Sequence, residues 1–456
     1  MKKNLVLLIT GGFVWLMSSC LGDSSSTIEA EAAKDCQITE FTLNSGDVEE
    51  LSNVKFTIDQ INGLIFNLDS LPYGSDLKMA VCNLTYASTV LSLEYTPEAV
   101  GDTVMTYSET DSIDFSKPVK FIVTAYDGLT KKNYTARVNT HQIIPDTLEW
   151  EFYAKEESFP IKMKEQQVVP FAYNGQEGYL LYGQPAGAGL PYRLYFSALD
   201  DMINWEPIAL EGLPTDEIML YQMVCFDQAL YVPSVNGKLY KSVDGQRWSV
   251  VGDTPYVAYI ISDVKEGGRS KAALAVVIEE AGELKFAAMD GEGLWTVGET
   301  IPEDFPLIGF GKEYYSSHYN SYLMIVGGRT LSNQLTNQSW GTMDGVLWAR
   351  LSDINASYFA AREGVMVTAY DDKIYLIGGI DAAGNAYRDI YESIDKGVTW
   401  QKVTALIILP DTYRARGYGS VIVDKNQYIN IFGGKTSANG NVLREIWRGR
   451  INRLGF

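Results

Sequence analysis

The sequence is poor in the residues on which most metal and imidazole chemistry depends. Only two histidines, His141 and His318, occur among 456 residues, and the four cysteines form no CxxC pair. These shortages argue against histidine-rich and cysteine-rich metal sites, so neither a metal nor another cofactor is expected. Basic residues are scarce as well, because 37 Lys and Arg face 57 Asp and Glu. This acidic balance argues against nucleic acid as a partner, since phosphate contacts need clustered positive charge.

A long apolar run occurs at the N-terminus, from Leu5 to Met17, after Lys2 and Lys3. Its 13 residues are too few to span a bilayer as a helix and are typical of a secretory signal peptide. Two serines then lead into Cys20, so residues 1–19 resemble a bacterial lipoprotein signal. That resemblance implies that Cys20 is lipidated and that the protein is an outer-membrane lipoprotein, at the periplasmic face or the cell surface. An ordinary signal peptide with an incidental Cys is the alternative.

Aromatic residues and glycine are abundant, with 29 Tyr, 17 Phe, 9 Trp and 41 Gly. This composition, with only 21% charged residues, is typical of short strands joined by tight turns and predicts an all-β chain. The length predicts more than one domain. Residues 20–35 are small and polar and are predicted to be a flexible tether.

Residues 36–142 are predicted to form a small β-sandwich. The clearest element is Val119 to Val138 (VKFIVTAYDGLTKKNYTARV), in which two β-rich runs flank an Asp-Gly turn. The segment resembles the Ig-like modules of Bacteroidota surface lipoproteins, which implies a spacer. Cys36 and Cys82 share this domain, and whether they form a disulfide stays open. Cys225, in a later apolar run, is predicted to be buried.

Residues 146–456 contain an internal repeat. Three apolar strands end in Gly-Gly, at 323–328, 374–379 and 429–434. A second repeated pattern opens with an aromatic residue, has an Asp in a turn and closes with a Trp. The closing residues, spaced by 43, 47, 53 and 52, are Trp205, Trp248, Trp295, Trp348 and Trp400. Together the two patterns predict a repeated four-stranded unit.

Each Asp of this pattern is predicted to stabilise a hairpin turn by accepting backbone N–H bonds. The turn residues are Asp244, Asp290, Asp344 and Asp395. Residues 393–400 (SIDKGVTW) resemble the Asp-box turn, SxDxGxTW, which implies a structural role on the outside of propeller blades. The Trp that follows is predicted to begin an outer strand and to pack between sheets.

The Gly-Gly strand, the aromatic strand and the Trp together resemble the kelch repeat, with Arg362 and Arg416 as its upstream arginines. The resemblance implies a β-propeller. The last unit lacks its closing Trp, and Trp150 stands in an outer-strand pattern with no unit before it. We therefore predict six blades, the last completed by the strand around Trp150 pairing with residues 444–450.

Two groups of side chains are candidates for ligand binding. The first is a tyrosine-rich segment, 311–322, whose aromatic rings suit sugars or protein partners. Its candidate residues are Tyr314, Tyr315, His318 and Tyr319. The second group, Arg362, Arg414 and Arg416, suits anionic groups. The alternatives are an inner strand whose tyrosines pack between blades and arginines that hold loops.

No recognisable catalytic set appears in the sequence, so the catalytic residues stay unknown. We expect a binding or scaffold protein whose propeller presents loops to a glycan or a protein partner. The alternative is a carbohydrate-active enzyme on the same propeller, namely a sugar epimerase, lyase or hydrolase.

Overall fold

The computed structural model describes residues 33–45, 49–101, 103–154, 159–187, 189–268, 271–316, 320–353, 355–403 and 405–453. The predicted signal, Cys20, His318 and Tyr319 lie outside these residues. The chain divides between Ile143 and Ile144 into two compact units, both built from β-strands. Helix in the described residues is limited to two short 3-10 segments, Glu49–Asn53 and Leu220–Gln222. None of the described helices is long and apolar enough to cross a membrane.

The N-terminal unit has two sheets that enclose one hydrophobic core. The sheet orders are β1-β4-β7 and β2-β3-β9-β8-β5-β6, and every pairing is antiparallel except that of β3 with β9. The strands are β1 Ile38–Asn44, β2 Phe56–Asp59, β3 Leu64–Asn67, β4 Ala80–Tyr86, β5 Val90–Pro97, β6 Met105–Thr106, β7 Ser112–Ile113, β8 Val119–Ala125 and β9 Lys131–Arg137.

Aromatic side chains from both sheets fill this core. Phe41 of β1 makes an edge contact with Phe121 of β8, and the ring centroids are 6.2 Å apart. The turn between β8 and β9 is held by Asp127, whose carboxylate accepts the backbone N–H groups of residues 129 and 130. Cys36 and Cys82 are buried in the unit as free thiols.

The C-terminal unit contains six four-stranded antiparallel sheets, numbered here in chain order. Its first strand, β10 Leu148–Ala154, belongs to sheet 6. Sheet 1 is β11 Met163–Tyr173, β12 Gln176–Pro185, β13 Arg193–Ala198 and β14 Glu206–Ile208. Sheet 2 is β15 Val224–Phe226, β16 Ala229–Pro233, β17 Leu239–Ser242 and β18 Ser249–Val250. Sheet 3 is β19 Tyr256–Val264, β20 Ala273–Glu280, β21 Glu283–Asp290 and β22 Trp295–Thr300.

The second half of the unit continues the pattern. A short pair of strands, β23 Pro306–Ile308 and β26 Arg329–Thr330, flanks sheet 4. Sheet 4 itself is β24 Gly311–Ser316, β25 Ser321–Val326, β27 Ser339–Thr342 and β28 Trp348–Arg350. Sheet 5 is β29 Met366–Tyr370, β30 Lys373–Ile377, β31 Ile390–Ser393 and β32 Gln401–Lys402. Sheet 6 combines β10 with β33 Gly417–Val423, β34 Ile429–Lys435 and β35 Ile446–Ile451.

Sheet 6 joins the two ends of this unit. Strand β10 pairs with β35, so that Trp150 lies opposite Gly449. Gly449 falls within residues 444–450, the segment that we predicted to pair with the strand around Trp150. Phe152 of β10 stacks on Trp447 of β35 with ring centroids 4.8 Å apart. The first strand of sheet 1, β11, also contacts β33 of sheet 6. The last sheet is therefore completed by residues from the start of the unit.

The repeated tryptophans begin, or directly precede, the outermost strands of sheets 1 to 5. Several contact the sheet before their own. Trp248 of sheet 2 lies with its ring centroid 5.8 Å from that of Tyr182 in sheet 1. Trp400 of sheet 5 donates its indole N–H to Ser339 Oγ of sheet 4 at 3.1 Å. The large apolar rings therefore fill the space between neighbouring sheets.

The four turn aspartates accept backbone N–H groups through one carboxylate oxygen. Asp344 accepts from Val346 and Leu347, at 2.9 and 2.8 Å. Asp395 accepts the N–H of Thr399 at 2.8 Å and also the hydroxyls of Ser393 and Thr399. Asp244 and Asp290 make equivalent backbone bonds. Each carboxylate thus closes the turn before an outer strand.

The prediction for Cys225 is wrong. This residue is exposed, although Val224 and Phe226 on either side of it in β15 are buried. The side chains of a strand alternate between its two faces, so an apolar run of residues does not fix the side to which each one points.

Candidate functional site

The described tyrosines of the tyrosine-rich segment are packing residues of an inner strand. Tyr314 and Tyr315 are neighbours in β24 and therefore point to opposite sides of sheet 4. Tyr314 packs toward sheet 3, where its hydroxyl bonds to the Asp263 backbone carbonyl at 2.8 Å and to the Asp263 carboxylate. Tyr315 packs in the core shared with sheet 5 and stacks on Tyr322, with ring centroids 4.9 Å apart. Both rings thus stabilise contacts between sheets.

Arg362 is also structural, because its side chain is only 1% exposed and its guanidinium bonds to groups of its own sheet. It donates to the carbonyls of Ala360 and Gly378 and to the Asp389 carboxylate, the last at 2.7 Å. Its own backbone carbonyl accepts the N–H of Gly328 from the preceding sheet. A Cβ on Gly379 would come 2.8 Å from Arg362 Cδ, so the Gly-Gly pair makes room for this side chain.

Arg416 repeats this arrangement in sheet 6. It is fully buried and donates to the carbonyls of Arg414 and Gly433 and to the Glu445 carboxylate. Arg414 donates to the other oxygen of Glu445 at 2.8 Å. All three predicted arginines therefore have carboxylate partners within the fold.

A cavity of about 850 Å³ lies where the first strands of the sheets begin. Sheets 1 to 6, or the loops that lead into them, all contribute to its wall. Among its polar lining residues are Lys164, Glu165, Gln167, Gln184, Asp216, Tyr192, Tyr221, Gln222, Lys312, Tyr418, Ser420 and Lys435. Apolar lining comes from residues such as Met219, Ile260, Phe310 and Val367. The cavity thus combines convergent polar groups with an apolar wall, as ligand sites commonly do.

Lys435 is the least exposed charged group of this wall. It ends β34, directly after Gly434, and is 7% exposed. Its ammonium lies 5.5 Å from the ring centroid of Tyr418 and 6.0 Å from that of Tyr221. Burial lowers the pKa of Lys435, and the negative charges of Glu165 and Glu363 oppose this shift without cancelling it.

Glu165, near the start of β11, is the acidic counterpart in the cavity. Burial raises the pKa of Glu165, although the positive charges of Lys435 and Lys164 act in the opposite direction. A carboxyl with a raised pKa is suited to exchanging a proton with a bound molecule. Tyr221 and Tyr418 lie nearby, with ring centroids 4.9 Å apart, and burial raises the pKa of both hydroxyls.

Glu363 fixes the Tyr418 side of the cavity. Arg329 holds its carboxylate with two hydrogen bonds of 2.9 and 2.7 Å, and Tyr418 is the second partner. Burial alone would raise the pKa of Glu363, but these hydrogen bonds outweigh it and the pKa is lowered. The Tyr418 hydroxyl is therefore positioned by a carboxylate that stays ionised.

Two further lysines line the cavity. Lys164 pairs with Asp216 at 3.0 Å, and Asp216 also accepts from Gln184. Lys312, at the start of β24, donates only to the Ile261 carbonyl, at 3.5 Å. Its side chain keeps access to the cavity, but desolvation lowers the pKa of Lys312 to about 8, with Asp263 opposing the shift. Lys312 is therefore an incompletely compensated cation.

None of the described residues predicted to bind ligand lines this cavity. The residues that do were missed, although two sequence signals point to them. Lys435 directly follows the third Gly-Gly pair, and Tyr418 comes two residues after Arg416. In the preceding units Arg329 likewise follows a Gly-Gly pair, and Glu363 is the residue directly after Arg362. Positions directly beside the repeat's fixed residues thus line or support the cavity.

The part of the chain that the structure describes brings together no group of three or more His, Cys, Asp or Glu side chains able to hold a metal ion.

Known family models match both units of the chain. The model described as "DUF6242 beta propeller domain" matches residues 144–456, and the "Domain of unknown function (DUF6242) N-terminal domain" matches residues 27–138. A search of curated proteins finds no match. A solved structure titled "Structure of YjhT" is similar at 14% identity and a TM-score of 0.45, covering 65% of this chain and 96% of that chain. The chain belongs to the DUF6242 family, as an all-β protein with a β-propeller domain and almost no helix.

Proposed function

We propose that this protein is an exported binding protein whose propeller holds a small sugar-like ligand in the cavity formed by the first strands. The observation that carries the proposal is the cavity itself, which has about 850 Å³ of space and polar side chains converging from several sheets. Ligand pockets commonly measure roughly 300 to 1,000 Å³. Tyrosine rings beside carboxylate, amide and amine groups suit a ring that carries many hydroxyls.

The proposal includes the wider organisation of the protein. The propeller has six kelch-like blades, which is supported by the six four-stranded sheets and by the repeated contacts of Arg362 and Arg416 with Gly-Gly strands. The N-terminal unit serves as an Ig-like spacer. Lipidation at Cys20 anchors the protein to the outer membrane, at the periplasmic face or the cell surface. This arrangement holds the cavity near a membrane.

A carbohydrate-active enzyme is the second candidate function. It is favoured by Glu165, a carboxyl with a raised pKa in the same cavity as Lys435 and Tyr418. These groups suit proton transfer to or from a bound sugar. The choice between the two candidates depends on whether a bound sugar is converted.

The test is calorimetric titration of the mature protein with a panel of mono- and disaccharides. Ala438→Trp places an indole in the cavity wall, whereas Asn439→Trp adds the same group at an exposed neighbour outside the lining. We expect at least one sugar to bind, Ala438→Trp to weaken its binding at least tenfold, and Asn439→Trp to leave it unchanged.

Two outcomes would overturn the proposal. If no sugar binds, or if Ala438→Trp has no effect, the cavity is not a sugar site and a protein partner becomes the better hypothesis. NMR spectra of the bound sugar, recorded over time, separate the two candidate functions. If the bound sugar is converted by the wild type and not by Glu165→Gln, the protein is an enzyme rather than a binding protein.

A further inference from the structure

We propose that the ligand of this cavity carries an anionic group, a carboxylate or a phosphate, and that Lys435 binds it. The inference rests on the proposed function, because it names the chemical class of the small molecule in the same cavity. It arises from a difference in ion pairing between the arginines and Lys435 in the C-terminal unit.

Three buried or partly buried arginines of the unit have carboxylate partners. Arg362 lies 2.7 Å from Asp389, Arg329 lies 2.7 Å from Glu363, and Arg416 contacts Glu445. Such pairing is the general rule for cations removed from water, because a buried charge without a partner is strongly destabilising.

Lys435 breaks this rule. It is more than nine-tenths buried, yet within the described part of the chain no carboxylate oxygen lies within 4.0 Å of its ammonium and no hydrogen-bond acceptor is assigned to it. Glu363, whose charge acts on Lys435, is already occupied by Arg329. The ammonium therefore has unused donors, and it lines a cavity rather than the solid interior.

Glu165 does not supply the missing partner. Its carboxylate makes no ion pair within 4.0 Å in the described residues. With Lys312 also lacking a carboxylate partner, the cavity wall holds two lysines without an ion pair against one such carboxylate. A positive excess inside a protein of net charge -20 is a local feature that favours an anion.

A ligand anion would satisfy these groups together. An oxyanion beside Lys435 would accept the free ammonium donors as charge-assisted hydrogen bonds. The hydroxyls of the same molecule would then meet Glu165 and Tyr418, which accept and donate hydrogen bonds. The geometry therefore points to an acidic sugar, such as a uronic acid or a sugar phosphate, rather than a neutral one.

The experiment compares matched ligands on the mature protein at pH 7. Glucose, galactose and mannose are titrated beside their uronates and their 6-phosphates, so that charge is the variable within each hexose series. We expect one acidic form to bind at least tenfold more tightly than its neutral parent. The uronate and phosphate arms then identify which oxyanion the site accepts.

The variant Lys435→Met keeps the length of the side chain and removes its charge. It should abolish the preference for the acidic form, and Lys435→Arg should restore part of the preference. Lys425→Met is the matched control, because Lys425 is an exposed lysine in the turn that joins β33 to β34. This control should bind like the wild type.

The outcomes separate this inference from the function on which it rests. Equal binding of neutral and acidic forms overturns the anion site and leaves the sugar site standing. An acidic preference that survives Lys435→Met overturns the role of Lys435. Failure of every ligand to bind overturns both proposals. The comparison of wild-type affinities decides the first point even if Lys435→Met does not fold.

Discussion

At the scale of single residues, the arginines and the cavity lysines of the C-terminal unit differ in their bonding partners. Arginines beside the Gly-Gly strands bond to backbone carbonyls and to carboxylates, and so they hold the loops of their own sheets in place. Lys312 and Lys435 at the cavity, by contrast, have no carboxylate partner among the described residues. Because an unpaired buried charge lowers stability, the lysines are better explained by ligand binding than by folding.

Lys312 provides a direct prediction about stability. Its pKa is lowered from 10.5 to about 8, so burying its ammonium costs about 3 kcal/mol. Lys312→Met should therefore raise the free energy of unfolding at pH 7 by up to about 3 kcal/mol. Below pH 8 the folded wild type carries this cost in full. As pH rises from 8 toward 10.5, the folded state loses its proton first, so the cost and the gain from the mutation both disappear.

Urea unfolding followed by tryptophan fluorescence at pH 7 and pH 10.5 measures this difference. No tryptophan occurs between residues 16 and 149, so the fluorescence of protein expressed without residues 1–19 reports the C-terminal unit alone. A variant that is less stable than the wild type at pH 7, or equally improved at both pH values, would contradict the account. Lys425→Met, which removes an exposed charge, should change little at either pH.

The sequence predicted some residue roles and missed others for a physical reason. The roles of Trp248 and Asp395 follow from a local pattern, because a turn and the strand after it involve adjacent residues. Glu165 and Lys435 are 270 residues apart and meet only because different sheets converge on one cavity. The tyrosine-rich composition of their segment predicts that Tyr314 and Tyr315 bind a ligand. Because adjacent residues of a strand point to opposite faces, the two rings instead pack on the two sides of sheet 4.

At the scale of elements, a turn closed by an aspartate links the third strand to the outer strand in sheets 2 to 5. Asp395 accepts three hydrogen bonds, from one backbone N–H and from the hydroxyls of Ser393 and Thr399. The Ser393 hydroxyl in turn accepts the N–H of Gly397. The motif is therefore a closed hydrogen-bonded turn, which explains why its residues can be recognised in the sequence.

Removing this carboxylate should destabilise the propeller by a measurable amount. Asp395→Ala removes three hydrogen bonds and should lower the free energy of unfolding by about 2 kcal/mol, at roughly 0.5 to 1.5 kcal/mol for each bond. Asp290→Ala removes only two backbone bonds and should cost about 1 kcal/mol. Urea midpoints of both variants measure the difference, and an equal or reversed order would contradict it.

At the scale of the whole C-terminal unit, closure by β10 is the feature that the sequence predicted best. Trp150 has the pattern of an outer strand but no unit before it, and the last unit lacks its closing Trp. The two were predicted to complete one sheet, and Trp150 does lie opposite Gly449. The cavity was not predictable in the same way. Sheets 1 to 3 lack the Gly-Gly marker, so nothing in their sequence fixes which loop residues face the centre.

The closure predicts a strong effect from a small substitution. A Cβ on Gly449 would come within 2.6 Å of the Trp150 ring, so Gly449→Ala should force the strands apart and cost about 1 to 3 kcal/mol. Gly252→Ala is the control, because no atom lies within 4 Å of its added Cβ. Hydrogen exchange of β10 and β35 should accelerate in Gly449→Ala alone. Unchanged protection there would show that the β10–β35 pairing does not secure the unit.

The most direct test of the account is a crystal structure of the mature protein with its tightest acidic sugar bound. The account predicts density for the sugar in the cavity, with its oxyanion within hydrogen-bond distance of Lys435 Nζ and its hydroxyls beside Glu165 and Tyr418. Density on the outer edges of the sheets, with the cavity left to solvent, would contradict it.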